Sequence, residues 1–254
     1  MIDKTFEADI TKLSTLIKGS SFTVVLTGAG ISTRSGIPDF RSQEKGLWMK
    51  DNPMDVISLT AFRTNPERFF NWLRPLVRSI THAQPNAAHY ALADLEKRGL
   101  IQVIATQNID SLHQHAGSQQ VLELHGTMTT LSCPGCKEQY EQDLFLTSFL
   151  EEDLIPICPV CRTILKPDIV LYEEQLPAQV WTSSEIACEM AQLLLVIGTS
   201  LEVYPAASLP MTVLKHGGKL AIINLSPTPL DDRSDVVIHA DAAEVLPLVL
   251  KSLV

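Results

Sequence analysis

VLTGAGISTRSGIPDFR, spanning Val25 to Arg41, begins as an apolar run and turns into a glycine-punctuated loop. Val and Leu followed by small residues mark a strand that ends where ligands bind in open α/β sheets. Gly28 and Gly30 fill the first two places of a G-x-G-x-x-G turn. Gly28 permits the tight turn, and Gly30 lets a phosphate approach the backbone. Amides opening the following helix would face that phosphate. Thr33 stands where the third glycine belongs. No strand ~20 residues on carries the acidic residue that usually holds a ribose hydroxyl. As a bare pattern, the G-x-G fits an ordinary strand–helix turn as well as a nucleotide loop. A standard dehydrogenase is disfavoured.

Outward from this loop, short apolar runs recur: LIQVIATQNID, VLELHG, LLLVIGTS, KLAIIN and DVVIHAD. Their Val, Ile and Leu content without clean alternation predicts strands covered on both faces, as in a parallel sheet. Helical periodicity fills the gaps. Ile10, Leu13, Leu16 and Ile17 share a face ahead of Gly19, a helix stop. Ala88, Ala91, Leu92 and Leu95 form a second stripe, with Lys97 and Arg98 suited to the C-terminal dipole before Gly99. The tail AAEVLPLVLKSLV predicts a closing helix, with Pro247 at a kink or in an early turn. The alternation gives an α/β fold with a Rossmann-like doubly wound parallel sheet. Two stretches break it. Residues 33–81 carry helical patterns, prolines and aromatics, and residues 127–165 carry paired cysteines. The expected organisation is a dinucleotide-binding unit of residues 1–32, 82–126 and 166–254. A smaller domain is formed by insertions: a helical module, 33–81, and a zinc-ribbon module, 127–165.

Cys133 and Cys136 are separated by Pro-Gly, and Cys158 and Cys161 by Pro-Val. This C-x-x-C…C-x-x-C spacing brings four thiolates to the corners of a tetrahedron around Zn²⁺. Four cysteines close the coordination sphere, so the metal would build structure rather than activate water. Cys188 falls in a helical pattern and reads as a small buried apolar residue. The 254 residues carry a formal charge of −9 without a Lys/Arg cluster, which argues against nucleic acid as an obligatory partner. The N-terminal MIDKTFEADI resembles no export signal, and no apolar run reaches the ~20 residues of a membrane span. A cytoplasmic protein without a membrane partner is expected.

Polar groups collect at the predicted strand ends. TQNID places Gln107, Asn108 and Asp110 after one strand, and LHG places His125 after the next. Gly198, Thr199 and Ser200 follow a third, and Asn224 a fourth. Any one alone is explained as a loop cap; together they favour a polar-lined crevice. His125 precedes Gly126, which leaves room beside the ring. A single strand-end histidine is more often structural than functional. His113 and His115 lie two apart on a predicted helix and point in different directions, so they read as surface or packing residues. Tyr90, Trp48, Trp72 and Trp181 read as core or interface aromatics.

Assembled in order, GAGIS, GIPDFR, TQNID, LHG, the four cysteines, GTSLEVYPAA and IIN make the chain resemble a sirtuin, an NAD-dependent protein-lysine deacylase. The resemblance runs from about Phe22 to Asp241. It implies that Gly28, Ala29, Gly30, Ser32, Asp39, Phe40 and Arg41 wrap NAD as a co-substrate. Gln107, Asn108, Ile109 and Asp110 would line the nicotinamide and ribose pocket. Gly198, Thr199, Ser200, Asn224 and Ala242 would hold the phosphates and adenosine. His125 would be the general base, with Asn108 and Asp110 beside the bond to nicotinamide, and zinc would be structural. Implied products are free lysine, nicotinamide and an O-acyl-ADP-ribose. Mono-ADP-ribosyl transfer and a non-catalytic NAD-sensing module are the competing readings. An acyl-lysine peptide or protein would enter as a strand between VLYEE and LEVYP. Here the family's Phe-Gly-Glu is Tyr172-Glu173-Glu174, which either alters peptide geometry or attracts basic flanking residues. The Tyr and Arg of succinyl-preferring relatives fall on Phe70 and Leu73, so acetyl or longer apolar acyl groups are expected over succinyl. The oligomeric state is not legible.

Overall fold

The computed structural model describes residues 6–39 and 52–253. Helix α1 (Glu7–Gly19) leads into β1 (Thr23–Thr27), which is followed by a 3-10 helix, Ala29–Ser35. A helical stretch comes next: α2 (Pro53–Val56), α3 (Leu59–Thr64), α4 (Pro66–His82) and α5 (Ala87–Lys97). Then follow β2 (Val103–Thr106), α6 (Leu112–His115), β3 (Val121–Glu123), β4 (Gly126–Ser132), β5 (Gln139–Glu141), α7 (Asp143–Glu151) and β6 (Lys166–Ile169). The chain closes with α8 (Ala178–Met190), β7 (Leu193–Ile197), α9 (Leu209–Lys215), β8 (Lys219–Ile223), β9 (Val236–Ile238) and α10 (Ala242–Ser252).

Six strands form one parallel sheet in the order β3-β2-β1-β7-β8-β9. The order reverses between β1 and β7, the switch point where open α/β sheets bind ligands. Strand β1 shows why its sequence lacks alternation: all five residues are buried. Val25 packs with α1, α5 and α10 on one face, and Val24 and Leu26 pack with α8 and α9 on the other. On α1, Leu13 and Ile17 are fully buried, each contributing roughly 1.5–3 kcal/mol by leaving water. Cys188 is buried on α8, and that burial pushes its thiol up to about 12, as suits an inert packing residue. Pro247 lies inside α10 rather than in its first turn, and costs the helix one donor, that to Ala243. Val245, Leu246 and Val249 seat the helix against the sheet despite this.

The second sheet is antiparallel, in the order β5-β4-β6. Lys166–Ile169 was expected on the parallel-sheet side of a boundary at residue 166. It pairs instead with β4, from Gly126↔Ile169 to Ser132↔Lys166 across a register shift. Phe62, Phe69 and Phe70 of the helical stretch meet one another edge-to-face at 5.1–6.2 Å, and Phe70 meets Phe149 of α7 edge-to-face at 5.7 Å. Met128 of β4 and Ile169 of β6 join the same cluster, so the two insertions share one core. Among the described residues no helix is long and apolar enough to cross a membrane.

Candidate active site

All six parallel strands deliver their carboxyl ends to one rim, and the residues expected to bind NAD lie along it. Gly28, Ala29 and Gly30 follow β1, Gln107 to Asp110 follow β2, and His125 follows β3. Gly198, Thr199 and Ser200 follow β7, Asn224 follows β8, and Ala242 opens α10 after β9. Asp39 is half-buried at the end of the described loop. Phe40, Arg41 and Trp48 lie outside the described residues.

The glycines serve close approach between loops. Gly28 is extended, with φ −132° and ψ −172°, a conformation open to any residue. A Cβ there would sit 2.7 Å from the Thr199 Cβ, and one on Gly30 would sit 2.8 Å from the Gly198 Cα. Gly30 N–H donates to the Gly198 carbonyl at 2.8 Å. The expected tight turn at Gly28 is therefore a loop-against-loop contact at the β1/β7 switch point.

Beside these loops a polar chain is locked in one sense. Ser32 Oγ donates to Asp110 Oδ2 at 2.6 Å, and Asn108 Nδ2 donates to Ser32 Oγ at 3.1 Å. Leu112 N–H donates to Asp110 Oδ1 at 3.0 Å. Ser32 has given its proton to the carboxylate, so it must receive one from Asn108, which fixes the amide's orientation. Burial pushes the Asp110 carboxyl up, and the Ser32 and Leu112 bonds pull it back. Gln107 Nε2 reaches Thr199 Oγ1 at 3.0 Å, joining the β2 and β7 ends across β1. Ile109, partly buried beside them, packs against the aromatic cluster of the insertions.

His125 is half-buried, with Nδ1 at 2.9 Å from the Gln107 carbonyl. A carbonyl only accepts, so Nδ1 carries the proton, and the Nε2 lone pair meets no donor among the described residues. Burial lowers the imidazole's pKa, opposed by the Gln107 bond. The ring is therefore neutral near pH 7, its tautomer set by its own main-chain partner.

Behind the rim lies a network that sequence reasoning missed. Thr27 Oγ1 donates to Thr106 Oγ1 at 2.8 Å, and Thr106 Oγ1 accepts the Asn108 N–H at 3.0 Å. His113 Nε2 lies 2.9 Å from Thr27 Oγ1, and its ring centroid is 5.0 Å from that of His89. His89 Nδ1 accepts the Asn86 N–H at 3.2 Å, and Asn86 Nδ2 donates to Ile31 O at 2.8 Å. Burial lowers His89 to about 4 and His113 to about 3, so both rings are neutral. His113 is buried and His115 exposed, as their spacing implied. The available signal was PNAAH, whose Asn86 and His89 form the capping box of α5. Tyr90, expected in a core or interface, is 53% exposed on the same helix.

At the adenosine end, Asn224 Nδ2 donates to Ser226 O at 2.7 Å, and the Asn224 carbonyl faces His239 Nδ1 at 3.0 Å. Ser200 Oγ donates to Glu202 at 3.3 Å. The Ala242 methyl is buried in the core, which leaves its main chain for the rim.

The four cysteines converge as their spacing required. Their sulfurs all lie within 4.8 Å of one another, with Cys133–Cys161 at 3.3 Å and Cys136–Cys158 at 3.6 Å. Tetrahedral Zn–S bonds of ~2.3 Å place sulfurs ~3.8 Å apart, so the set fits zinc. Cys136 N–H points to Cys133 Sγ at 3.4 Å, and the Tyr140 hydroxyl lies 3.3 Å from Cys158 Sγ. These donors suit thiolates.

The Glu173 carboxylate accepts from Thr60 N–H at 2.8 Å and from the Thr60 hydroxyl at 3.1 Å, which ties its side chain to α3. Phe70 and Leu73 are each 1% exposed within the aromatic core.

Known proteins resemble this chain in sequence and fold. The Sir2 family profile matches residues 28–205. An NAD-dependent protein deacetylase of Caldivirga maquilingensis is 46% identical over 239 residues, 94% of this chain and 91% of the relative. NAD-dependent protein deacylase 2 of Archaeoglobus fulgidus is 42% identical over 246 residues, 96% of each chain. A solved structure of Sir2 with a p53 peptide and NAD+ has a TM-score of 0.87 at 38% identity, covering 94% of this chain and 96% of that one. Another, with a deacetylated p53 peptide and 3′-O-acetyl ADP ribose, has a TM-score of 0.90 at 38% identity, covering 95% and 97%. With the rim, the cysteine cluster and near-full-length identity in agreement, this chain belongs to the Sir2 family.

Proposed function

We propose that the rim divides its labour by strand end, within an NAD-dependent protein-lysine deacetylase. NAD supplies nicotinamide as leaving group and the ribose that takes the acyl group. Asn108 and Asp110, held by Ser32, orient the nicotinamide end, with Gln107 and Ile109 lining the same pocket. Gly28, Ala29, Gly30, Gly198, Thr199 and Ser200 take the phosphates at the switch point, with Asn224 and Ala242 toward adenosine. Asp39, Phe40 and Arg41 would cover the dinucleotide. His125 Nε2 takes the proton from a ribose hydroxyl. Cys133, Cys136, Cys158 and Cys161 hold zinc as structure, apart from the rim.

The observation that carries this assignment is the His125 tautomer: Nδ1–H is committed to Gln107, and Nε2 is left as a base. An acyl-lysine peptide enters as a strand beside Tyr172–Glu174, which follows directly on the Val170 N–H bonded to His125 O at 2.8 Å. Phe70 and Leu73 bring no charge to meet an acidic acyl group, so acetyl and longer apolar groups are favoured. A cytoplasmic setting suits free, zinc-binding cysteines.

Mass spectrometry of products from labelled NAD and a panel of acetyl-, longer acyl- and succinyl-lysine peptides tests the proposal. The expected label ends in O-acyl-ADP-ribose, with succinyl slowest. Substituting His125→Ala lowers kcat by about 10²-fold or more and leaves the fold intact. Label retained on protein would establish ADP-ribosyl transfer, and no nicotinamide release would leave a sensor. A His125→Ala variant of ordinary activity would remove the base assignment.

A further inference from the structure

Glu173 adopts φ +74°, the left-handed region that L side chains enter reluctantly. Its carboxylate explains how it stays there. Thr60 is the second residue of α3, so its N–H has no partner within that helix, and Glu173 Oε2 supplies one at 2.8 Å. The neighbouring main chain is held by the same segment. Tyr172 N–H donates to Ile57 O, and Leu59 N–H donates to Tyr172 O, each at 3.1 Å. Glu174 closes the turn from the other side. Its N–H donates to Leu171 O at 3.0 Å, and its Oε2 accepts from Leu171 N–H and Lys166 Nζ, each at 2.9 Å. Leu171 and Tyr172 therefore have both main-chain groups engaged, whereas the N–H and C=O of Glu173 meet no described residue.

We propose that Glu173 is a positioning residue for the substrate. Its carboxylate latches the loop to α3 and holds the free Glu173 main chain as the edge on which the acyl-lysine peptide pairs. The inference rests on the deacetylase function above and adds a device to it. The side chain works inward, on the helix, while the main chain of the same residue works outward, on the peptide. Strand addition of this kind draws affinity from main-chain bonds, so a loose edge weakens binding without touching the reacting groups.

The test is steady-state kinetics on the full chain with acetyl-lysine peptides flanked by Arg or by Ala. In Glu173→Ala, peptide KM rises about tenfold, the equivalent of one charge-assisted hydrogen bond. In the same variant, kcat at saturation and KM for NAD stay within about twofold, as expected when only ground-state binding is lost. The variant Glu173→Gln keeps an oxygen for the Thr60 N–H and recovers most of the peptide affinity. The variant Glu173→Gly relieves the left-handed backbone but lacks the latch, and behaves like Glu173→Ala. If the alanine variant folds poorly, the glutamine and glycine variants carry the comparison. A peptide KM unchanged in both Ala and Gly variants overturns the proposal, as does a glycine variant with wild-type KM. A preference for Arg-flanked peptide that vanishes in Glu173→Ala also overturns it, because the charge would then be meeting the peptide. Absence of NAD-dependent turnover in the wild type would sink the deacetylase function instead, a separate outcome.

Discussion

Replacing Gly198 with alanine probes the contact on which the switch point is built. Gly198 has φ +63°, and a Cβ there would press into Ile31 N and sit 2.7 Å from the Gly30 carbonyl carbon. Carbon atoms rest at about 3.5–4.0 Å, so the β1 and β7 loops would have to part by about 1 Å. Both neighbours are main chain, so no side chain can swing aside. The left-handed backbone costs about 1–2 kcal/mol for a non-glycine residue. Overpacking adds about 1–3 kcal/mol, and weakening the Gly30 N–H bond to Gly198 O about 1 kcal/mol. A loss of about 3–6 kcal/mol corresponds to a melting point lower by about 6 °C or more in a chain of this size. Two other glycines separate the causes. Gly30→Ala carries the overlap at an ordinary φ, whereas Gly36→Ala carries φ +89° into open space. Circular-dichroism melts should rank the damage Gly198→Ala, then Gly30→Ala, then Gly36→Ala, and KM for NAD should rise in the first two only. A Gly198→Ala protein melting within about 2 °C of wild type, under about 1 kcal/mol of damage, would refute the close-contact account.

Two further outcomes follow from buried groups. The folded protein keeps His89 neutral to about pH 4 and His113 to about pH 3, so below about pH 6.5 the unfolded chain binds protons first. Stability therefore falls as pH drops from about 6.5 toward 4; urea midpoints should show this, with a shallower slope in His89→Gln, and equal slopes in the two proteins would contradict it. Cys136→Ala should lose the metal and loosen the β5-β4-β6 sheet, read as zinc content per chain together with a lower melting point. Wild-type stability in that variant would mean the cluster is not a structural zinc site.

The central strands β1 and β7 were legible because every residue of each is buried, so apolar runs such as LLLVI carry the signal without needing a period. The antiparallel strands were not. GTMTTLS is threonine-rich with mixed burial, its pairing with β6 shifts register, and KPDI carries a proline. Cysteine spacing announced the metal while leaving those strands unread. Along the rim, polar residues that stand directly after a strand were legible: Asn108, Asp110, His125. Those that act through distant partners were not. Thr27 and Thr106 look like ordinary strand residues until their hydroxyls meet across β1 and β2. Glu173 left two readings open, altered peptide geometry or attraction of basic flanks, because its partner, the Thr60 amide, lies 113 residues away in the chain.

His125 occupies the corner where two sheets are joined. On its N-terminal side the chain has just left β3; on its C-terminal side Gly126 begins β4, and its own carbonyl takes the Val170 N–H at 2.8 Å. The imidazole is thus carried by the main-chain segment that joins the parallel sheet to the antiparallel one. On the proposed role of His125, a displacement of the β5-β4-β6 sheet against the larger sheet would reorient the base, because both sheets hold the main chain that carries it.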